Sequence, residues 1–125
     1  MDATVDASRP SAMSVASITY HLRSMSSGLA KNVFVPVFAV YSSFLQRSYD
    51  QLVHDVAMQD LKVIFCIDRA GFVGEDGESH QGVFDTAFLM SVPNLAVFAP
   101  ASFSELSSML YVAVYKEKNA VALRY

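Results

Sequence analysis

Residues 67–82 read Ile67-Asp68-Arg69-Ala70-Gly71-Phe72-Val73-Gly74-Glu75-Asp76-Gly77-Glu78-Ser79-His80-Gln81-Gly82, and this stretch decides the fold. Immediately before it, Val63-Ile64-Phe65-Cys66-Ile67 is an unbroken run of β-branched and apolar residues, the signature of a buried strand. The run delivers Asp68 and Arg69 to its carboxyl end. There a loop with Gly71, Gly74 and Gly77 carries Glu75, Asp76, Glu78 and His80, and a helix is predicted to begin near Gly82. In open α/β sheets, ligands bind at the carboxyl ends of the strands. A glycine-rich loop at such an end, dense in groups that donate, accept and titrate, packs poorly and is the candidate site.

Outward from this loop, strand and helix patterns alternate. Towards the carboxyl terminus, Val83, Phe84, Ala87 and Phe88 predict a short helix stopped before Pro93, and Leu95–Phe98 a third strand. Ser102 with Glu105 forms a capping-box pattern. It opens a helix whose apolar stripe is Leu106, Met109, Leu110 and Ala113, and Ala120–Leu123 is a last strand. Towards the amino terminus, Leu61–Ile67 is the second strand. A helix from Ser43, capped with Gln46, precedes it and turns Leu45, Tyr49, Leu52, Val53 and Val56 inward before ending near Gln59. Val33–Tyr41 reads as a first strand, with Pro36 favouring an edge or early position. Val15, Ile18, Leu22, Met25 and Leu29 make one stripe of a helix over 14–30, with Gly28 and Asn32 at its end, and residues 1–13 predict a mobile tail. The expectation is a 14–125 domain of α/β class, a three-layer parallel sheet covered by helices.

A chain of 125 residues suits one domain that buries about two-thirds of its unfolded surface. Hydrophobic residues make up 53% and charged residues 17%, more apolar than an average domain. Two sources fit equally: surface destined for a partner or further domains, or strands buried on both faces. A net charge of −3 without a Lys/Arg cluster argues against a nucleic-acid surface. No apolar run reaches the ~18 residues of a membrane span and no signal opens the chain, so a reducing cytoplasmic or organellar location is expected. The single cysteine, Cys66, sits in an apolar strand and reads as a packing residue.

On their own chemistry the loop residues keep two readings each. Arg69 suits a phosphate or carboxylate through its planar fork, or an ion pair with Asp68, Glu75 or Asp76. His80 suits proton transfer with Asp76 orienting it, or a helix-start hydrogen bond. No metal-ligand spacing is present.

The stretch Asp68 to Asp85, DRAGFVGEDGESHQGVFD, resembles the central motif of 1-deoxy-D-xylulose-5-phosphate synthase, a thiamine-diphosphate transferase of the transketolase type. The resemblance continues through VFAVYSSFLQRSYDQLVHDVAMQ (37–59), VPNLAVFAP (92–100) and LRY (123–125), covering Gly28 to Tyr125. It implies the pyrimidine-binding module of a thiamine-diphosphate fold. It also implies a parent reaction that joins pyruvate to glyceraldehyde 3-phosphate with loss of CO₂, for isoprenoid and thiamine synthesis. By motif, His80 and Asp76 match residues beside the thiazolium and the substrate carbonyl. Tyr41, Arg69 and Arg124 match those that hold the acceptor phosphate. Phe44 matches the aromatic that stacks on the aminopyrimidine and Arg47 a residue near it; on residue type alone they read as a core phenylalanine and a solvent-facing arginine. Asp50, His54 and Asp55 read as structural.

The sequence also departs from that family. Where the family carries the glutamate that protonates the aminopyrimidine, a gap-free alignment on Gly28-Leu29-Ala30 puts Thr19, with His21 at the family histidine. A hydroxyl cannot serve as that acid, and the nearest preceding carboxylate is Asp6. The Gly-Asp-Gly...Asn motif that binds the diphosphate and Mg²⁺ is not among these residues. The expectation is a partial module, inactive alone. Its expected partners are a diphosphate-binding module, an intact synthase chain or a second copy, as one subunit of a split enzyme or as a non-catalytic interaction module. The family compartment is the cytoplasm, or the plastid of a photosynthetic eukaryote.

Overall fold

The fold follows from where each strand's apolar residues can go. The computed structural model describes residues 34–75 and 77–125; the predicted tail 1–13, the predicted helix 14–30 with Thr19 and His21, and Asp76 lie outside the described residues. Among the described residues four strands, β1 (Val37–Tyr41), β2 (Ile64–Asp68), β3 (Ala96–Phe98) and β4 (Val121–Arg124), form one parallel sheet in the order β1-β2-β4-β3. β1 starts at Val37, later than predicted. Pro36 has no N–H to give a ladder, and it joins only by accepting from the Ile64 N–H at 2.9 Å.

Side chains alternate across the sheet, and each face has its own core. Phe38, Val40, Phe65, Ile67 and Ala122 share one cluster with Leu45, Leu52, Val56 and Leu89. Ile64, Val121 and Leu123 share the other with Ala113 and the half-buried Leu106 and Met109. Helices thus cover both faces, as a three-layer α/β fold requires. Each fully buried Leu, Ile or Phe in these clusters contributes on the order of 1.5–3 kcal/mol.

The rod over 42–59 is helical but not one α-helix. It runs as α1 (Ser42–Leu45), a 3₁₀ turn (Gln46–Ser48), α2 (Tyr49–Gln51), a π turn (Leu52–Val56) and a 3₁₀ turn (Ala57–Gln59). The tight and wide turns offset each other, so Leu45, Leu52 and Val56 still reach the sheet. The Ser43–Gln46 capping box does not form, because the helix starts one residue earlier, at Ser42, with Tyr41 as its cap. Nor does Tyr49 turn inward. It is 39% exposed, and its phenol shares a hydrogen bond with the Ser91 hydroxyl at 2.9 Å, the polar partner that a core position would deny it. The rod ends where predicted, in a Schellman closure with Asp60 left-handed at φ 51° and the Leu61 N–H donating to Val56 O at 3.1 Å.

Beyond the glycine loop, α3 (Asp85–Leu89) begins after Val83 and Phe84, which are exposed rather than helical. α4 (Phe103–Tyr115) starts on the predicted cap: the Glu105 N–H donates to Ser102 Oγ at 3.2 Å. The reciprocal bond lands one residue earlier, with the Ala101 N–H donating to Glu105 Oε2 at 2.8 Å. No described helix is long and apolar enough to cross a membrane.

Candidate functional site

Parallel pairing aligns three carboxyl ends. Tyr41 of β1 lies opposite Asp68 of β2, and Ile67 of β2 lies opposite Arg124 of β4. Three of the predicted site residues, Tyr41, Arg69 and Arg124, therefore stand along one edge of the sheet. β2 is continued past its end by the Ala70 N–H, which donates to Tyr125 O at 3.0 Å.

At the β1–β2 end, four side chains make a continuous series of contacts. The Arg69 guanidinium lies over the Tyr41 ring, 4.4 Å from its centroid. Tyr41 stacks on Phe44 with centroids 5.7 Å apart, and Phe44 meets the edge of His80 at 5.3 Å. Phe44 is fixed from behind by packing against the first core cluster. The cation–π contact on Tyr41 is a contact that neither sequence reading of Arg69 named. Asp68 accepts the Arg69 backbone N–H at 2.7 Å. That bond holds Arg69 at φ 57°, a left-handed conformation that costs a non-glycine residue about 1 kcal/mol and recurs at functional sites.

The loop between β2 and α3 is closed at its neck. Gly71 and Gly82 exchange both backbone hydrogen bonds at 2.8 Å. Gly82 is required there: a Cβ would come within 2.4 Å of the Arg69 carbonyl and 2.7 Å of Ser42 Oγ. Inside the neck, the Gln81 side chain acts as a crossbar. Its Oε1 accepts from the Val73 N–H at 2.6 Å, while its Nε2 donates to Val73 O at 2.9 Å and Gly77 O at 2.7 Å. His80 follows from this, exposed at the loop's end with Nδ1 2.8 Å from Ser79 Oγ. Arg47 lines a cleft of about 460 Å³ between the rod and this loop, with Gln46, Phe72, Glu78 and Phe84.

Arg124 is held differently. Its Nε donates to Asp85 Oδ2 and its Nη2 to Asp85 Oδ1, both at 3.1 Å, a two-point fork. Asp85 is fully buried at the start of α3; it also accepts from Ser42 Oγ at 3.0 Å and from the Thr86 N–H at 2.7 Å. Asp85, Ser42 and Gln81 were not legible as site residues. An aspartate at a helix start is ordinary, and only the fold shows that this one is buried against an arginine 39 positions away. Next to Arg124, burial raises the Tyr125 phenol above its ordinary value, with Cys66 and Asp68 adding to the shift. Burial likewise raises the Cys66 thiol, in keeping with a packing role.

A parallel sheet with helices on both faces is the fold expected of a thiamine-diphosphate pyrimidine-binding module. The chain belongs to the transketolase pyrimidine-binding domain family, whose model, described as "Transketolase, pyrimidine binding domain", matches residues 20–125. Within that family its similarity is to 1-deoxy-D-xylulose-5-phosphate synthases. It is 58% identical over 105 residues to that of Chlorobaculum tepidum, covering 84% of this chain and 16% of the relative. It is 53% identical over 105 residues to that of Halalkalibacterium halodurans, covering 84% and 17%. The chain thus spans about one-sixth of the length of these relatives. Among solved structures, a split gene transketolase described as an inactive beta4 tetramer superposes with a TM-score of 0.71 at 25% identity, over 83% of this chain and 33% of that one. The transketolase from Leishmania mexicana shares the fold, with a TM-score of 0.73 at 24% identity over 88% of this chain and 16% of that one.

Proposed function

We propose that this chain supplies the pyrimidine side and the acceptor-phosphate side of a deoxyxylulose-phosphate-synthase site, and that it needs a second module to turn over. The observation that carries this reading is the series Arg69–Tyr41–Phe44–His80, which joins a cation, an aromatic platform and a titratable ring at neighbouring strand ends. Phe44, fixed by the core, fits a flat heteroaromatic ring. The Arg47 cleft, at about 460 Å³, is within the range of small-molecule sites. Thiamine diphosphate, when bound, supplies the carbanion equivalent that joins pyruvate to glyceraldehyde 3-phosphate with loss of CO₂.

The protein's own groups divide the remaining work. Phe44 and Arg47 hold the aminopyrimidine. His80, with Asp76, moves protons at the substrate carbonyl, as an imidazole near neutral pH can. Tyr41, Arg69 and Arg124 bind the acceptor phosphate, two planar cations suited to its oxygens. Thr19 cannot replace the carboxylic acid that activates the pyrimidine, and Mg²⁺ with the diphosphate belongs to another module.

A partner is the second element of the reading. The solved neighbour of similar fold is described as a split gene transketolase, an inactive beta4 tetramer. Exposed Phe72, Phe84 and Phe103 give this chain apolar surface for such a contact. The test is turnover of pyruvate and glyceraldehyde 3-phosphate by the chain, alone and mixed with a diphosphate-binding module. The expected result is none alone, and turnover in the mixture that rises steeply on Thr19→Glu. A mixture that forms a complex yet stays inactive with Thr19→Glu identifies a non-catalytic interaction module instead.

A further inference from the structure

We infer that Asp85, braced by Ser42, is the positioning residue for Arg124 in recognition of a phosphate monoester. The inference rests on the reading that Arg124 binds the acceptor phosphate. A free arginine on a strand end samples many rotamers, and ordering it costs up to about 2 kcal/mol of side-chain entropy. Here that ordering is already done. The fork to Asp85 occupies Nε and Nη2 and fixes the guanidinium plane, leaving Nη1, with its two N–H donors, outside the pair.

The carboxylate is itself immobile. It is completely buried, and Oδ2 takes the Ser42 hydroxyl while Oδ1 takes the Thr86 backbone N–H. Ser42 is equally buried, at the first position of the rod that carries Phe44 and Arg47, and it directly follows Tyr41. One hydrogen-bonded path therefore ties the β1 end, the rod, α3 and Arg124 into a single geometry. Asp85 also offsets the Arg124 charge. Anion selection at this end then comes from the direction of the remaining donors more than from net positive potential.

The test is titration of the full chain with inorganic phosphate and with glyceraldehyde 3-phosphate, read by NMR from the backbone amides and from the Arg124 Nε–H. The native chain is expected to bind both ligands and to show a sharp, slowly exchanging Nε–H. Arg124→Met should abolish the binding. Asp85→Asn keeps the shape, but it has one acceptor where the fork needs two; it should weaken phosphate at least tenfold. Ser42→Ala, a milder change that keeps the fold if Asp85→Asn does not, should weaken it two- to threefold. Asp85→Glu should restore part of the loss, which a purely structural role would not do. If Asp85→Asn or Ser42→Ala, with native amide dispersion, leaves the phosphate Kd unchanged while Arg124→Met removes binding, the positioning role is overturned and the phosphate reading stands. If Arg124→Met changes nothing, or the native chain binds neither ligand, the phosphate reading itself is overturned.

Discussion

Two arginines stand at the carboxyl ends of neighbouring strands, one laid on an aromatic ring and the other forked to a carboxylate. Arg69 leaves β2 in a left-handed backbone conformation and lays its guanidinium on the face of Tyr41. Arg124 ends β4 in extended backbone and is forked to a carboxylate with no solvent exposure. The first contact is worth on the order of 0.5–1 kcal/mol and breaks without leaving a buried charge. The second cannot be broken cheaply, because Asp85 is completely buried and would lose its paired cation. The β4 end of the candidate site is thus fixed by a buried carboxylate, while the β1–β2 end is built on ring contacts, and the glycine loop leaves from that second end.

The sharpest way to break this contrast is Asp85→Ala against Arg69→Gly. Removing Asp85 strands a mostly buried guanidinium and the Ser42 hydroxyl; it should cost roughly 3 kcal/mol in denaturant unfolding. Arg69→Gly loses the cation–π contact but relieves about 1 kcal/mol of left-handed strain. Its stability should stay within about 1 kcal/mol of the native chain, while binding of phosphate at this end falls. Equal losses for the two variants would mean that the ends are not distinct.

Gly82→Ala probes the junction. The new methyl meets the Arg69 carbonyl, a backbone atom that cannot swing aside, as well as Ser42. The expected cost is about 1–3 kcal/mol from overpacking, and both ends should register it in amide shifts around Arg69 and Ser42. A smaller global effect belongs to Gln81→Ala. The neck bonds between Gly71 and Gly82 survive, but the crossbar to Val73 and Gly77 is gone. Global stability should drop by no more than about 1 kcal/mol, while hydrogen exchange at the Val73 amide accelerates at least tenfold. Unchanged exchange there would show that the neck alone orders the loop.

How much of this was legible beforehand depended on the range of the interaction. The strand Val63–Ile67, the Ser102 cap and the stop near Gln59 are set by neighbours a few residues apart, and the expectations for them hold within two or three residues. The rod failed as a continuous helix because its hydrogen-bond register answers to the sheet beneath it, which no local pattern encodes. The candidate loop was visible through its glycines, and the resemblance singled out Tyr41, Phe44, Arg69 and His80, which the fold brings into contact. Asp85, Ser42 and Gln81 were invisible for one reason. Each has an ordinary residue type for its local position, and its role exists only through atoms that folding brings near.

The smallest expected effect concerns pH, and it separates the same two ends. Burial raises the Cys66 thiol from 9.0 and the Tyr125 phenol from 10.0; Cys66 lies on β2 and Tyr125 directly follows β4. For each group the unfolded chain loses its proton first as pH rises, so between the unfolded and folded values the folded state binds more protons and stability falls. The contribution is whole below about pH 9, the unfolded thiol value, and declines through the alkaline range. Tyr125→Phe should flatten the part of the decline above about pH 10, and Cys66→Ala the part that begins near 9. Denaturation midpoints measured from pH 8 to 11 check this. If Tyr125→Phe leaves the curve above pH 10 unchanged, the β4 side loses its part in the alkaline decline.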